Sequence, residues 1–362
     1  MIPLNKPFLP PREKYERYIE EIWKRGWLTN HGPLVKEFEK KISDYLGTDR
    51  MVFVNNGTTA LQIAIKALDL KGEIITTPFS YVATTNAILW ANCKPVFADI
   101  DEHSFNIDPS KIEAAITKDT SAILATHVFG NPCDVEAIQV LANRYGLNVI
   151  YDAAHSFGVT CNGESLFKWG DISITSFHAT KVFHTVEGGG LFCSERELTK
   201  KIRYLMNFGH DGLYRFTEAG INGKNSELHA AMGLCNLEYA NEILMHRKKL
   251  ISCYDKGLEN LPLIRQKLRE GTEHNFSYLP VIFQTESDLE ATENRLKQSD
   301  IETRRYFKPS LDELPYTSKA DLPVAHSISE RILCLPLFFD MPEDDVIKVC
   351  SVIRVFFSDT RL

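Results

Sequence analysis

VFVNNGTTALQ, residues 52–62, combines the end of an apolar strand, a tight turn and the start of a helix at Thr58 or Thr59. The same alternation continues along the chain, with strands predicted at 51–54, 73–76, 95–98, 122–126, 148–151, 172–176 and 190–193. Helices are predicted between them at 59–70, 83–90, 135–145 and from 112–116 onward. This spacing predicts βαβ units and a mostly parallel sheet with helices on both faces. Ligands of such sheets bind beyond the carboxyl ends of the strands.

The pattern differs on either side of this α/β region. Amphipathic helices are predicted before it, at 13–25 and 34–46. Beyond residue 200 we expect one long helix over 226–246 that continues toward 254, then a strand at 278–282 and helices at 288–298 and 346–356. We therefore predict a large α/β domain over residues 1–240 and a smaller α+β domain over residues 241–362.

The composition excludes several classes of protein. The 362 residues carry 41 Lys and Arg against 48 Asp and Glu, and this net charge of −7 argues against a nucleic-acid binder. No stretch approaches the roughly 20 apolar residues of a membrane span, and residues 1–11 lack the apolar core of a signal peptide. We therefore expect a cytoplasmic protein that does not bind membranes. The eight cysteines show no CxxC spacing, so we predict reduced, mostly buried thiols and no metal site.

Three segments carry residues suited to chemistry. In the turn at 55–59, Gly57 lets the backbone approach a ligand, and the unpaired N–H groups at the helix start form a phosphate cup; a capped helix without a ligand is the alternative. Asp152 follows an apolar strand, where it would bind a ligand or only cap a helix. Lys181 lies among apolar neighbours after the strand that ends at Ser176, so burial would lower its pKa and suit a Schiff-base nucleophile; a surface lysine is the alternative.

Together, the three segments match what pyridoxal phosphate requires. The phosphate needs an anion cradle, the ring nitrogen needs a carboxylate, and the aldehyde needs a lysine. An aromatic side chain should also cover the ring, and PFSYVATTNAI (78–88) offers Phe79 and Tyr81. The sequence therefore predicts a pyridoxal 5′-phosphate enzyme.

Longer motifs identify a family. They are GPLVKEFEKKISDYLG (32–47), NNGTTALQIAIKAL (55–68), THVFGNPCD (126–134), DAAHSFG (152–158), SFHATK with EGGG (176–190) and GINGKNSELHAAMGLCNL (220–237). With these motifs the chain resembles the DegT/DnrJ/EryC1/StrS sugar aminotransferases over nearly its whole length. The resemblance implies the fold-type I, aspartate aminotransferase-like architecture, with a large mostly parallel α/β/α domain and a smaller α+β domain.

The resemblance also implies roles for individual residues. Lys181 would carry the cofactor as a Schiff base and move the proton, and Asp152 would pair with the ring nitrogen. Tyr81 would stack on the ring, and His155 would lie beside it. The phosphate would be held by Gly57, Thr58, Ser176 and, from the neighbouring subunit, Asn222. This last contact implies a homodimer with shared active sites.

The substrate is also implied by resemblance. DAAH (152–155) and EGG (187–189) are typical of members that aminate a C4 keto group, whereas DAAQ and DGG are typical of C3 members. SFHATKVFHTVEGG is most similar to members that convert dTDP-4-keto-6-deoxyglucose into dTDP-4-amino-4,6-dideoxyglucose, with L-glutamate as amino donor and 2-oxoglutarate as its product. Such products supply O-antigens and other polysaccharides. Candidate cations for the nucleotide diphosphate are Lys24, Arg25, Arg203, Lys224 and Arg304.

Some alternatives stay open at this point. GINGKN (220–225) departs from the GYNYRM common in the family, which leaves the sugar and nucleotide contacts near it undefined. His184 is interpreted as a packing or solvent-exposed residue, with a substrate contact as the alternative, and His229 is interpreted as structural. A C3 aminotransferase and a non-catalytic sensor on the same fold compete with C4 amination. A related dehydration chemistry, in which histidine replaces the lysine, is disfavoured by Lys181.

Overall fold

The computed structural model describes residues 1–359. A seven-stranded sheet has the order β1-β9-β8-β5-β4-β2-β3, and two short sheets have the orders β10-β6-β7 and β11-β12. The strands are β1 (Met51–Val54), β2 (Glu73–Thr76), β3 (Lys94–Phe97), β4 (Thr120–Thr126), β5 (Asn148–Asp152), β6 (Thr160–Cys161), β7 (Glu164–Ser165), β8 (Ile172–Ser176), β9 (Gly189–Phe192), β10 (Thr272–Glu273), β11 (Pro280–Ile282) and β12 (Ile332–Cys334).

The helices flank this sheet and form most of the C-terminal region. They are α1 (Arg12–Arg25), α2 (Pro33–Leu46), α3 (Gly57–Ala67), α4 (Val82–Trp90), α5 (Pro109–Ala115), α6 (Val135–Tyr145), α7 (Arg196–Leu205), α8 (Glu227–Leu237), α9 (Ala240–Gly257), α10 (Glu286–Gln298), α11 (Pro323–Arg331) and α12 (Glu343–Asp359). None of the helices within residues 1–359 is long and apolar enough to cross a membrane.

The large sheet is mostly parallel, as the alternation predicts. Only β9 runs antiparallel to its neighbours, β1 and β8. Successive side chains of a strand point to opposite faces. Ile74 therefore packs with α3, α4 and α7, whereas Ile75 packs with α5 and α6. Both faces are covered, which confirms the predicted layering.

The prediction of one long helix over 226–246 was wrong, because the structure has two helices in this segment. α8 ends at Leu237, and Tyr239 leaves the helical conformation with φ −105° and ψ 1° before α9 begins. The Tyr239 ring lies 5.2 Å from the Phe8 ring, and the ammonium of Lys14 lies 4.9 Å from its centre. No glycine or proline marks the break, so periodicity could not reveal it. Helices α7 and α11 were also not predicted.

The C-terminal region has its own apolar core. It joins α9, α10 and α12 through side chains such as Tyr254, Leu289 and Ile353. Ile2, at the other end of the chain, packs into the same core. The division at residues 240 and 241 stays a prediction. All eight cysteines are free thiols, and all but Cys253 are buried, as expected.

A buried carboxylate joins α8 to the start of α2. Glu227 is fully buried, and its Oε2 and Oε1 accept hydrogen bonds from the backbone N–H groups of Leu34 (3.0 Å) and Val35 (2.9 Å). The N-cap residue, Gly32, has no side chain to do this. A Cβ at Gly32 would lie 2.6 Å from Cδ of Glu227, so glycine makes room for a cap supplied from a distant helix.

We expect Glu227→Gln to lower the free energy of unfolding by about 1–3 kcal/mol, because an amide N–H₂ would face a backbone N–H in place of an acceptor. Urea denaturation followed by circular dichroism measures this. The exposed Glu20→Gln is the matched control and should leave the midpoint unchanged. Equal midpoints for both variants would contradict the role of Glu227 as a helix cap.

Candidate active site

A cavity of about 440 Å³ lies beyond the carboxyl ends of β5 and β8. It brings together seven of the eight predicted site residues, which come from separate stretches of the chain: Gly57, Thr58, Tyr81, Asp152, His155, Ser176 and Lys181. The C-terminal region closes the cavity with Tyr278, Arg304, Tyr306 and Phe307. The cavity is therefore built from both predicted domains.

One end of the cavity is the N-terminus of α3. Asn56 caps this helix, and its Oδ1 accepts a hydrogen bond from Thr59 N (2.8 Å). The helix begins at Gly57, one or two residues earlier than predicted. A Cβ at Gly57 would lie only 2.9 Å from Cβ of Ser176. The helix start and two hydroxyls, of Thr58 and Ser176, thus form a narrow cradle of donors suited to a phosphate.

The glycines at the start of β9 permit this cradle. A Cβ at Gly189 would collide with the carbonyl of Asn56 and would lie 2.8 Å from the backbone nitrogen of Gly57. β9 therefore passes directly beneath the turn that opens α3. The EGGG motif serves close packing at this point.

Asp152 ends β5 and is buried. Its Oδ2 accepts a hydrogen bond from the Thr84 hydroxyl (2.9 Å), and its Oδ1 accepts one from Ala154 N (3.1 Å). No helix begins after it, so the alternative that Asp152 is a helix N-cap does not hold. Burial raises the pKa of Asp152, while the hydrogen bonds from Thr84 and Ala154 and the charge of Lys181 oppose that shift.

Lys181 is partly buried in the turn after β8. Its Nζ donates a long hydrogen bond of 3.4 Å to the Tyr278 hydroxyl. Burial lowers the pKa of Lys181, and the nearby Asp152 partly restores it. A larger share of the amine is therefore unprotonated and able to attack a carbonyl than in an exposed lysine.

Of the two aromatic side chains predicted to cover the ring, only Tyr81 lines the cavity, and His155 lines it as well. Tyr81 precedes α4 and is 53% exposed, whereas Phe79 is fully buried and packs against Phe105 and Phe129. His155 is buried, and its Nδ1 accepts a hydrogen bond from Phe129 N (3.2 Å), which leaves the ring proton on Nε2. Burial holds the pKa of His155 well below its usual value, so the ring is neutral.

The remaining candidates lie elsewhere. Asn222 is exposed, is not among the cavity's lining residues, and accepts a hydrogen bond from Lys224 Nζ (2.7 Å). His184 is buried and donates to the Phe8 carbonyl (2.7 Å), which confirms its structural interpretation. Arg203 pairs with the buried Glu39 (2.8 Å).

Of the five cations predicted for a diphosphate, only Arg304 lines the cavity. Its guanidinium lies 4.8 Å from the ring centre of Tyr306. Sequence reasoning did not single out Tyr278, Tyr306 or Phe307, because no local pattern around them indicates a ligand. It also missed Thr84, although the hydroxyls of FSYVATT (79–85) were a usable signal.

Comparisons with known proteins identify the family and the fold of this chain. The model of the DegT/DnrJ/EryC1/StrS aminotransferase family matches residues 11–354. Two relatives named dTDP-4-amino-4,6-dideoxy-D-glucose transaminase, from Shigella dysenteriae and Escherichia coli, are 41% and 39% identical to this chain, and each alignment covers 97% of the chain and 98% of the relative. A solved structure of DesI in the presence of its TDP-sugar product has a TM-score of 0.93 at 32% identity, covering 98% of this chain and 92% of the other. The predicted fold class is confirmed.

We expect Lys181→Ala to abolish covalent attachment of pyridoxal phosphate but to leave pyridoxamine phosphate binding measurable, since the cradle at Gly57 and the Asp152 carboxylate remain. Borohydride reduction followed by mass spectrometry detects the attachment, and quenching of tryptophan fluorescence detects the binding. Lys118→Ala, at an exposed turn, is the control and should retain both. A reduced adduct of full stoichiometry in Lys181→Ala would contradict the assignment.

Proposed function

The chain belongs to the DegT/DnrJ/EryC1/StrS aminotransferase family of pyridoxal-phosphate-dependent transaminases, and we propose that the Lys181 cavity is where it holds the cofactor and aminates a keto sugar. The observation that carries this proposal is the meeting of Lys181, Asp152 and the α3 cradle in one cavity. These groups are far apart in sequence, and together they supply the three contacts that the cofactor needs.

The donor set fits the phosphate, the ring nitrogen and the aldehyde of the cofactor. The N–H groups at Gly57 and Thr58, with the Ser176 hydroxyl, would hold the phosphate. Asp152, ionised, would hold a protonated ring nitrogen, and Lys181 would attach the aldehyde carbon. The space that a Cβ at Gly57 would fill is part of this cradle. When bound, pyridoxal phosphate accepts electrons from the carbon that carries the transferred nitrogen.

The chain's own residues would perform the proton transfers. Lys181 Nζ, with its lowered pKa, would take the proton from the carbon that bears the transferred nitrogen and return it to the carbon on the other side of that nitrogen. Asp152 would keep the ring nitrogen protonated throughout. Tyr81 and the neutral ring of His155 would supply aromatic surfaces beside the ring, and His155 adds no competing positive charge.

For the substrate, we propose a dTDP-linked 4-keto-6-deoxy sugar, aminated at C4 with L-glutamate as donor. The support is the name shared by the two relatives and the DAAH and EGG motifs of this chain. Arg304 is the candidate for an anionic group of either substrate, because its guanidinium faces the cavity. Amination at C3 by the same fold is the second candidate. A non-catalytic sensor would have no need for the partly buried amine of Lys181.

We further propose that two subunits complete each site. Asn222 lies outside the cavity of its own chain and is exposed just before α8, so its predicted contact with the phosphate needs a partner subunit. A homodimer built in this way would have no complete site as a monomer. The cytoplasmic location predicted from the sequence stays a prediction.

The substrate proposal is tested by incubating the purified protein with L-glutamate and dTDP-4-keto-6-deoxy-D-glucose. We expect 2-oxoglutarate and one product with nitrogen at C4, identified by NMR. The GDP-linked 4-keto-6-deoxy sugar is the matched comparison for the nucleotide, and the dTDP-linked 3-keto isomer is the comparison for the carbon. Faster amination of either comparison substrate would overturn the corresponding part of the proposal.

The shared site is tested by mixing Lys181→Ala protein with Asn222→Ala protein. A mixed dimer carries both changes in one site and neither in the other, if each site takes Lys181 from one chain and Asn222 from its partner. Activity should then rise toward about a quarter of wild type, because half of randomly exchanged dimers are mixed and each has one intact site. Each variant incubated alone is the control. No recovery, with exchange shown by mass spectrometry, would mean that Asn222 does not serve the partner's site.

A further inference from the structure

A chain of three buried hydroxyls leads to Asp152. The Thr126 hydroxyl lies 3.0 Å from that of Ser80, and Ser80 lies 2.9 Å from Thr84. Thr84 in turn donates to Oδ2 of Asp152 at 2.9 Å. All four side chains are at most 5% exposed. They come from the end of β4, the loop before α4, α4 itself and the end of β5.

The Asp152 carboxylate fixes which hydroxyl donates in each of these hydrogen bonds. A hydroxyl has one proton to donate, and the ionised Asp152 can only accept. Thr84 therefore donates its proton to Asp152, so Ser80 must donate to Thr84, and Thr126 must donate to Ser80. Three aligned donors polarise one another and favour a negative charge at the end of the chain.

We propose that Thr84, supported by Ser80 and Thr126, is a positioning residue that keeps Asp152 ionised and oriented toward the cofactor's ring nitrogen. This inference rests on the proposed function of the cavity. Burial alone raises the pKa of Asp152, and the hydrogen bond from Thr84 is the largest contribution that lowers it. The Ala154 N–H holds the other oxygen, so each oxygen keeps a lone pair for the ring N–H.

The start of α4 connects Thr84, which contacts Asp152, with Tyr81, which is predicted to stack on the cofactor ring. Tyr81 and Thr84 are three residues apart, and Thr84 N donates to the Tyr81 carbonyl (3.1 Å) in the first turn. Tyr81 is the N-cap residue of α4, with φ −71° and ψ 145°, and Thr84 is the third residue of the helix. This backbone hydrogen bond joins the residue that lines the cavity, Tyr81, to the residue that contacts Asp152, Thr84.

The experiment compares the affinity of pyridoxamine 5′-phosphate among variants, measured by fluorescence quenching. Thr84→Val keeps the shape and removes the hydroxyl, and we expect it to weaken binding roughly tenfold or more, because a hydrogen bond to a charged group is lost. Thr84→Ser keeps the hydroxyl and should stay within about threefold of wild type. The matched control is Thr85→Val: this neighbouring threonine is buried, and its hydroxyl has no partner within residues 1–359. It should bind as wild type does.

Two further measurements separate action through Asp152 from a loss of structure. With the analogue in which a ring carbon replaces the ring nitrogen, Thr84→Val and wild type should bind equally. In the Asp152→Asn background, Thr84→Val should lower the affinity for pyridoxamine 5′-phosphate little further. The effects of two substitutions are not additive when one residue acts through the other. If Thr84→Val does not fold, Thr84→Ala compared with Thr84→Ser tests the same hydroxyl.

The possible outcomes distinguish a failure of the proposed function from a failure of the role proposed for Thr84. Failure of wild-type protein to bind pyridoxal or pyridoxamine phosphate would overturn the proposed function itself. Normal wild-type binding with no loss in Thr84→Val, an equal loss in Thr84→Ser, or a loss that persists with the carbon analogue would overturn only the role of Thr84.

Discussion

The proposed site depends on a buried carboxyl group, that of Asp152, at the end of a central strand. Asp152 is 5% exposed and forms no salt bridge within residues 1–359. A charge in that position is costly unless hydrogen bonds and an opposite charge compensate for it. The protein supplies the hydrogen bonds through Thr84 and Ala154, and a protonated ring nitrogen would supply the opposite charge. The same arrangement would favour the cationic ring over the neutral one.

Residues from both the α/β region and the C-terminal region line the cavity. The α/β region provides the phosphate cradle, the carboxylate and Lys181, whereas Tyr278, Arg304 and Tyr306 come from the C-terminal region. The first set would serve any reaction of the cofactor. In the second set, Tyr278 accepts the hydrogen bond from Lys181, and Arg304 brings a cation that would suit an anionic group of a substrate. Under the proposed function, the α/β region would hold the cofactor, and the C-terminal region would supply Arg304 for the substrate.

Sequence reasoning succeeded where a local pattern exists. The bounds of β1, β2, α6 and β8 match the predictions, because alternating apolar runs and turn residues delimit them. It failed at Tyr239, where a helix breaks without a breaking residue for a reason of tertiary packing. It also missed Thr84 and Tyr278, whose relevance arises from a neighbour 68 residues away in one case and 97 in the other. Contacts of that kind exist only once the sheet has brought the strand ends together.

The first turn of α4 has a consequence for how this chain can vary. Because each residue of an α-helix turns the chain by about 100°, one residue inserted between Tyr81 and Thr84 would swing one of the two side chains away from its target. Substitutions on the outer side of the helix leave that geometry intact. The length of this segment is therefore under a stricter constraint than its composition, and natural variants of the protein should differ here by exchange of residues and not by gain or loss of them.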